Sequence, residues 1–401
     1  MDDPVTMLLG KQETDRHRVK GVYLDHHATT PLDPEVLDAM MPYLKEFYGN
    51  ASSRSHAWGL RSTKAIEKAR EQVARLIGAE EKEIIFTSGA TESNNLCLKG
   101  HADRDQNACF VTSCIEHPSI IQTCRYLEAK RHSVTYLPVD SYGRLDINDV
   151  TNALSDSTSL VSIMLANHEV GTLNPIAAIG LLCSQKNVLF HTDATQGSSL
   201  LPINVDEWRV DFLSLSAHKM YGPKGVGALY IRKHHPQISL TPLLHGGGQE
   251  RSLRAGTLNV AGIVGFGAAA AIALRMRDEE LKRLRVLRDR FWNKIKEQID
   301  GIVLLGHPLE RLPDHLSISF PGIDAEELML EMEDLGLSSG SACSTGNGSP
   351  SYILKNMGVK HEFIHGSIRI GLGRFTTDEE IDYAICKISE TVRKLDKERG
   401  I

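Results

Sequence analysis

No run of apolar residues in this chain reaches the roughly 20 positions needed to cross a bilayer. The longest uncharged stretch, residues 260–274, falls short and, being rich in Gly and Ala, reads as a buried helix. Basic residues are not in excess. The 45 Lys and Arg stand against 51 Asp and Glu, a formal net charge of −6, so the chain carries no electrostatic footprint for nucleic acid. The seven cysteines (Cys97, Cys109, Cys114, Cys124, Cys183, Cys343 and Cys386) are odd in number and include no C-x-x-C pair, which argues against a disulfide framework or a zinc knuckle. Internal repeats and low-complexity tracts are missing. A Walker G-x-x-x-x-G-K-[ST] loop is also missing, and His168-Glu169-Val170-Gly171-Thr172 fails the H-E-x-x-H zinc pattern at its fifth position, so no metal is expected. The first residues hold several acids and only a brief apolar stretch at 7–9. Neither a secretory signal nor an Arg-rich transit peptide is therefore expected, which places the protein in the cytoplasm.

What is present is an ordinary globular composition, 41% hydrophobic and 24% charged over 401 residues, a length that exceeds what one core usually serves. Short β-branched runs recur at 84–87, 108–112, 134–138, 160–166, 188–192, 210–215 and 226–231, with helical periodicity between several of them, as in Ile66, Val73, Leu76 and Ile77 before Gly78. Alternating strands and helices predict a mostly parallel sheet covered on both faces. Beyond Val260 the spacing of Leu281, Leu284, Leu287, Phe291, Ile295 and Ile299 predicts a long helix leading to a smaller second domain. Its basic residues are offset by Glu279, Glu280 and Asp289, as on a solvated helix face.

Three strand ends carry candidate chemistry. Ser216-Ala217-His218-Lys219 closes an apolar strand before a turn-rich stretch, at the edge of an α/β sheet where ligands bind. Standing alone, Lys219 reads more readily as a surface residue after a strand; held among small and glycine residues it suits imine formation, because burial favours the neutral amine. The segment Thr87-Ser88-Gly89-Ala90-Thr91-Glu92 leads from a strand to a helix start fit for a phosphate monoester, or is simply a capped helix. Asp193 ends an apolar strand, where a buried carboxylate needs a partner such as a protonated pyridine nitrogen or a helix N-terminus. Phosphate cup, acid and amine are together the requirements of pyridoxal 5′-phosphate. Cys343 differs from the other cysteines in lying within a polar Gly/Ser stretch, 338–350, that reads as an exposed, mobile loop.

With these residues in place the chain resembles the cysteine desulfurases of the NifS/IscS type, in the class-V aminotransferase family of fold-type I pyridoxal enzymes. The resemblance runs from Tyr23 to about Leu395. It rests on Asp25-His26-His27-Ala28-Thr29-Thr30-Pro31, Gly49-Asn50-Ala51-Ser52-Ser53, residues 87–95, Glu116-His117, Asp193-Ala194-Thr195-Gln196, Ser216-Ala217-His218-Lys219, residues 246–257, 339–343 and Ser367-Ile368-Arg369. It implies an α/β fold with a seven-stranded, mostly parallel large domain over 28–273 and a smaller α+β domain over 274–401 carrying Cys343. Residues 1–27 are expected to pack with the small domain.

The resemblance also implies site roles. Lys219 is the Schiff-base lysine and Asp193 the pyridinium partner. His117 stacks on the ring and shuttles protons, and Gln196 bonds the phenolic oxygen. Ala90, Thr91, Ser216 and His218 hold the phosphate, and Thr257 reaches the phosphate of a neighbouring subunit, implying a homodimer. Arg369 clamps the substrate carboxylate, a bidentate task. The expected reaction converts L-cysteine to L-alanine, with sulfur carried on Cys343 to an acceptor protein. Most relatives have Asn-Asn-Glu where this chain has Asn167-His168-Glu169; Asn167 is expected at the substrate and His168 at the cofactor. The chain stops at Arg399-Gly400-Ile401, which weakens the expectation that it docks a typical scaffold. Selenocysteine lyase, C–S lyase and a non-catalytic sulfur-transfer scaffold are the alternative readings.

Overall fold

A computed structural model of the protein describes residues 21–233, 238–339 and 350–399. Seven strands form the central sheet in the order Ile84–Thr87, Gly227–Ile231, Phe212–Ser216, Leu189–Asp193, Thr158–Ser162, Cys109–Ser113 and Ser133–Leu137. Only Gly227–Ile231 runs antiparallel to its neighbours. All seven coincide, within a few residues, with the apolar β-branched runs. The adjacent inner strands Phe212–Ser216 and Leu189–Asp193 are buried along their whole length, as expected of strands covered on both faces. The parallel strands therefore deliver their carboxyl ends to one edge, and that edge carries the three strand-end segments singled out above.

Helix boundaries follow local chemistry. Ala57–Ile77 begins on the His56 side chain, which accepts from the Gly59 N–H, and stops at Gly78, whose φ of 70° suits a left-handed cap. The long apolar segment and the amphipathic one after it are a single 39-residue helix, Val260–Gln298. Its first part, with Ile263, Phe266, Ala269 and Ile272, packs in a core with Ile66, Val73 and Phe86. Its second part, with Leu284, Leu287, Phe291 and Ile295, packs in a separate core with Leu316, Ile368 and Ile388. The latter core is built on a four-stranded antiparallel sheet, ordered Ser338–Ser339, Ser367–Gly371, His315–Ser319, Val303–Leu305. Val22–Tyr23 pairs in parallel with Leu335–Gly336, so the start of the described chain is joined to this half.

Arg374 ties the two halves beside the site. Buried, it donates from Nη1 to Asp33 Oδ2 at 2.6 Å and from Nε to Glu280 Oε1, and its guanidinium lies 4.3 Å from the centroid of the Tyr221 ring. Asp33 caps the helix Pro34–Lys45, Glu280 belongs to the long helix, and Tyr221 follows Lys219 by two residues. Arg374→Ala leaves two carboxylates buried without their cation. We expect a loss of about 3–5 kcal/mol in urea unfolding, against less than about 1 kcal/mol for Arg275→Ala, whose pair with Glu35 is exposed.

Candidate active site

The strand ends enclose a cleft of about 630 Å³ whose lining includes Gly89, Ala90, Thr91, His117, His168, Asp193, Gln196, Ser216, His218, Lys219 and Arg369. Contributions thus come from five parallel strands and, through Arg369, from the second sheet.

At one end lies the start of the Ala90–Ala102 helix. Its first residue outside is Gly89, at φ 153°, and no side chain caps it, so the leading N–H groups are available to an anion and the helix dipole favours one. The glycine is needed, since that φ disfavours L side chains. Gly227 on the neighbouring strand is needed for a second reason: a Cβ there would sit 2.6 Å from Gly89 Cα. Ser216, whose Oγ would lie 3.8 Å from a Cβ built at Gly89, lines the cleft with His218 and Lys224. Burial, reinforced by the charges of Lys219 and Lys224, pushes His218 down to about 4, so near neutrality it acts as a neutral ring, with Nδ1 3.1 Å from Thr29 Oγ1.

Asp193 closes its strand almost fully buried. Its Oδ2 accepts from Asn94 Nδ2 at 2.7 Å and its Oδ1 from the Thr195 N–H at 3.0 Å, bonds that fix the direction in which the carboxyl group faces. Lys219 lies on a 3-10 turn immediately after its strand, with Nζ donating to the carbonyls of His27 and, at 2.8 Å, Ala28. Gln196 Nε2 donates to the His27 carbonyl, and its Oε1 lies 3.0 Å from His27 Nδ1. His27 is a residue whose role the motif did not disclose.

His117 and His168 meet edge to face, with ring centroids 5.2 Å apart. Burial lowers the proton affinity of both. His168 Nδ1 is buried and finds no hydrogen-bond partner among the described residues. Arg369, 2% exposed, is aimed by several acceptors: Nη1 donates to the His168 carbonyl at 3.0 Å, and Nη2 to Asp25 Oδ1 at 2.8 Å and Ser338 Oγ at 3.2 Å. Asp25, an unassigned member of the first motif, is thus the ionic partner of the guanidinium.

One expectation comes out differently. The Asn167 side chain does not line the cleft. Its Oδ1 accepts from the N–H groups of Glu169 and Val170 and its Nδ2 donates to the Ile115 carbonyl, so the amide is consumed in shaping the turn that presents His168. Thr257 also stays outside the cleft of its own chain. Its loop is clamped by Arg70, which pairs with Glu250 at 2.8 Å, and by Arg254 with Glu92 at 3.0 Å. Cys343 lies outside the described residues.

An uncapped helix start, a held carboxylate, an amine and an imidazole around one cleft are a donor set that fits pyridoxal 5′-phosphate, and the unpartnered His168 Nδ1 leaves a buried polar atom for a ligand. The comparisons agree. The chain matches the aminotransferase class-V family over residues 22–384 and belongs to it. Like the family, the protein depends on pyridoxal 5′-phosphate. It is similar to the protein named cysteine desulfurase IscS of Rickettsia felis, with 46% identity over 376 residues that cover 93% of this chain and 92% of that one. Among solved structures it resembles a NifS-like protein (TM-score 0.87, 38% identity, 93% and 99% of the two chains). Another relative is SspA, solved in complex with cysteine (TM-score 0.77, 34% identity, 89% and 100% of the two chains).

Proposed function

We infer that the enzyme is a cysteine desulfurase, which takes L-cysteine to L-alanine and passes the sulfur to an acceptor. The observation that carries this reading is the meeting of Lys219, Asp193, His117 and Arg369 around one cleft beside an uncapped helix start.

The Ala90 and Thr91 N–H groups with Ser216 and His218 would hold the phosphate, Asp193 would partner the pyridine nitrogen and Gln196 the phenolic oxygen. When bound, the cofactor supplies an electron sink for the pair left at the substrate α-carbon. Arg369 receives the substrate carboxylate, and Lys219 takes the α-proton as general base. The Cys343 thiolate attacks the substrate sulfur: its S–S bond forms as the substrate Cβ–S bond breaks, and the Cβ is then protonated. Atoms balance without an outside reductant, since cysteine and a thiol give alanine and a persulfide. A carrier that must visit the cleft and then face an acceptor suits a Gly/Ser loop.

Thr257 lies away from its own cleft, on a clamped loop, which supports the reading that it completes the phosphate site of a second copy in a homodimer. A cytoplasmic setting and an acceptor protein in iron–sulfur assembly or thiolation complete the proposal. The test is alanine and persulfide formation from L-cysteine, expected in equal amounts in a single turnover; a lyase would release sulfide and leave no persulfide on the protein. Arg369→Lys keeps the charge but loses the fork, and we expect KM for L-cysteine to rise about 10- to 100-fold with a smaller change in kcat.

A further inference from the structure

Asn94 joins two residues that the reading above uses separately. It lies in the first helix of the phosphate cup, fully buried, and both hydrogens of its amide are committed. One bonds Asp193 Oδ2 at 2.7 Å and the other Ser119 Oγ at 2.8 Å. The amide orientation is settled by the carboxylate, which would repel the amide oxygen. That oxygen, Oδ1, is buried with no partner among the described residues, a cost that marks the two donor bonds as the ones the fold maintains.

Ser119 passes the constraint on. Its Oγ accepts from Asn94, so its own proton turns to His117 Nδ1, 2.8 Å away. The Ser119 backbone N–H donates to the same nitrogen at 3.1 Å, because His117 is the N-cap of the helix Pro118–Ala129. Two donors converge on Nδ1, so the neutral ring carries its proton on Nε2.

We propose that Asn94 is a positioning residue that couples the acid of the cleft to its imidazole. It holds the Asp193 carboxylate in place and, through the Ser119 hydroxyl, locks His117 as the neutral Nε2–H tautomer. Neutrality suits a ring that must lie against a cationic pyridinium, and Nε2–H is the proton available to the reaction. The groups facing His117 are Asp193, which favours its protonation, and Lys219 and the His168 ring, which do not; Glu116, next in the chain, is buried and pushed up to about 8. Against that background the two donors on Nδ1 oppose protonation.

The proposal rests on the desulfurase reading, and two readouts separate them. Titrating full-length chain with pyridoxal 5′-phosphate and following its visible band needs no turnover. Asn94→Ala is expected to bind the cofactor about tenfold more weakly and Ser119→Ala within about twofold of wild type. In the pH profile of kcat/KM, Ser119→Ala is expected to move the acid limb up by about 0.5–1 pH unit, because a donor opposing the imidazolium is gone. Ser119→Thr, which keeps the hydroxyl, restores it. If Asn94→Ala fails to fold, the two Ser119 variants still decide. Unchanged cofactor affinity in Asn94→Ala, or an unmoved acid limb in Ser119→Ala, overturns the proposal. Wild type that binds cofactor but makes no alanine overturns the desulfurase reading and leaves the affinity test standing.

Discussion

Lys219→Ala is expected to lose the visible band of bound pyridoxal 5′-phosphate together with alanine formation, the latter by roughly 10³-fold or more. The amine has two assignments in the proposed chemistry, tethering the cofactor and removing the α-proton. His218 is held near 4 and His117 and His168 are lowered by burial, so they are poor acceptors of a second role. The amine is also fixed in space: the carbonyls of His27 and Ala28 receive it, and Met220 and Tyr221 behind it are buried. Absorbance spectra and product assays on the purified variant check both halves. A variant that keeps the band and makes alanine would show that another amine is the tether.

Cys343→Ala is expected to behave differently: the visible band stays, alanine formation falls by at least about a hundredfold, and the protein no longer gains the mass of one sulfur atom on exposure to L-cysteine. The contrast separates cofactor attachment from sulfur acceptance. Of the six described cysteines, Cys97, Cys124 and Cys183 are buried and burial pushes their thiols up, as it does for half-buried Cys114. Cys386 is exposed on the last helix, with Sγ 3.3 Å from Glu390 Oε1, and that carboxylate holds it as the thiol. None of these has the electropositive, accessible setting that makes a thiolate nucleophile. Intact-mass measurement after L-cysteine, on wild type and on Cys343→Ala and Cys386→Ala, assigns the carrier. A sulfur adduct that persists without Cys343 would move the role elsewhere.

Both experiments turn on residues that were visible in the sequence, and the reason is local. Lys219, His218 and Ser216 are contiguous, and so are Gly89, Ala90 and Thr91. A strand end followed by a turn is a short-range event that hydrophobic run length and small residues report directly. The seven strands were legible for the same reason, since buried parallel strands are continuous apolar runs. The supporting layer was not legible. Asn94 meets Asp193 across 99 residues and Asp25 meets Arg369 across 344, and no periodicity reports a bond at that separation. Asn167 shows the converse. Its position next to His168 suggested a substrate contact, but a side chain whose oxygen accepts from the Glu169 and Val170 N–H groups and whose nitrogen donates to the Ile115 carbonyl and to Met164 Sδ has nothing left for a ligand.

The sequence by itself determined the class of sheet, the strand ends that carry the amine, the acid and the phosphate cup, and the thiol that stands apart from the other six. These depend on composition and on order over a few residues. Tertiary structure alone decided how those groups are held: which carboxylate aims Arg369, which amide holds Asp193, which tautomer His117 adopts, and that Arg374 binds the two halves beside Lys219. Apart from the two donors to His117, which Ser119 supplies from two residues away, each of those is a bond between elements that only folding brings within 3 Å or so of each other, and burial is what makes each bond obligatory, because an unpaired charge or amide there has no water to turn to.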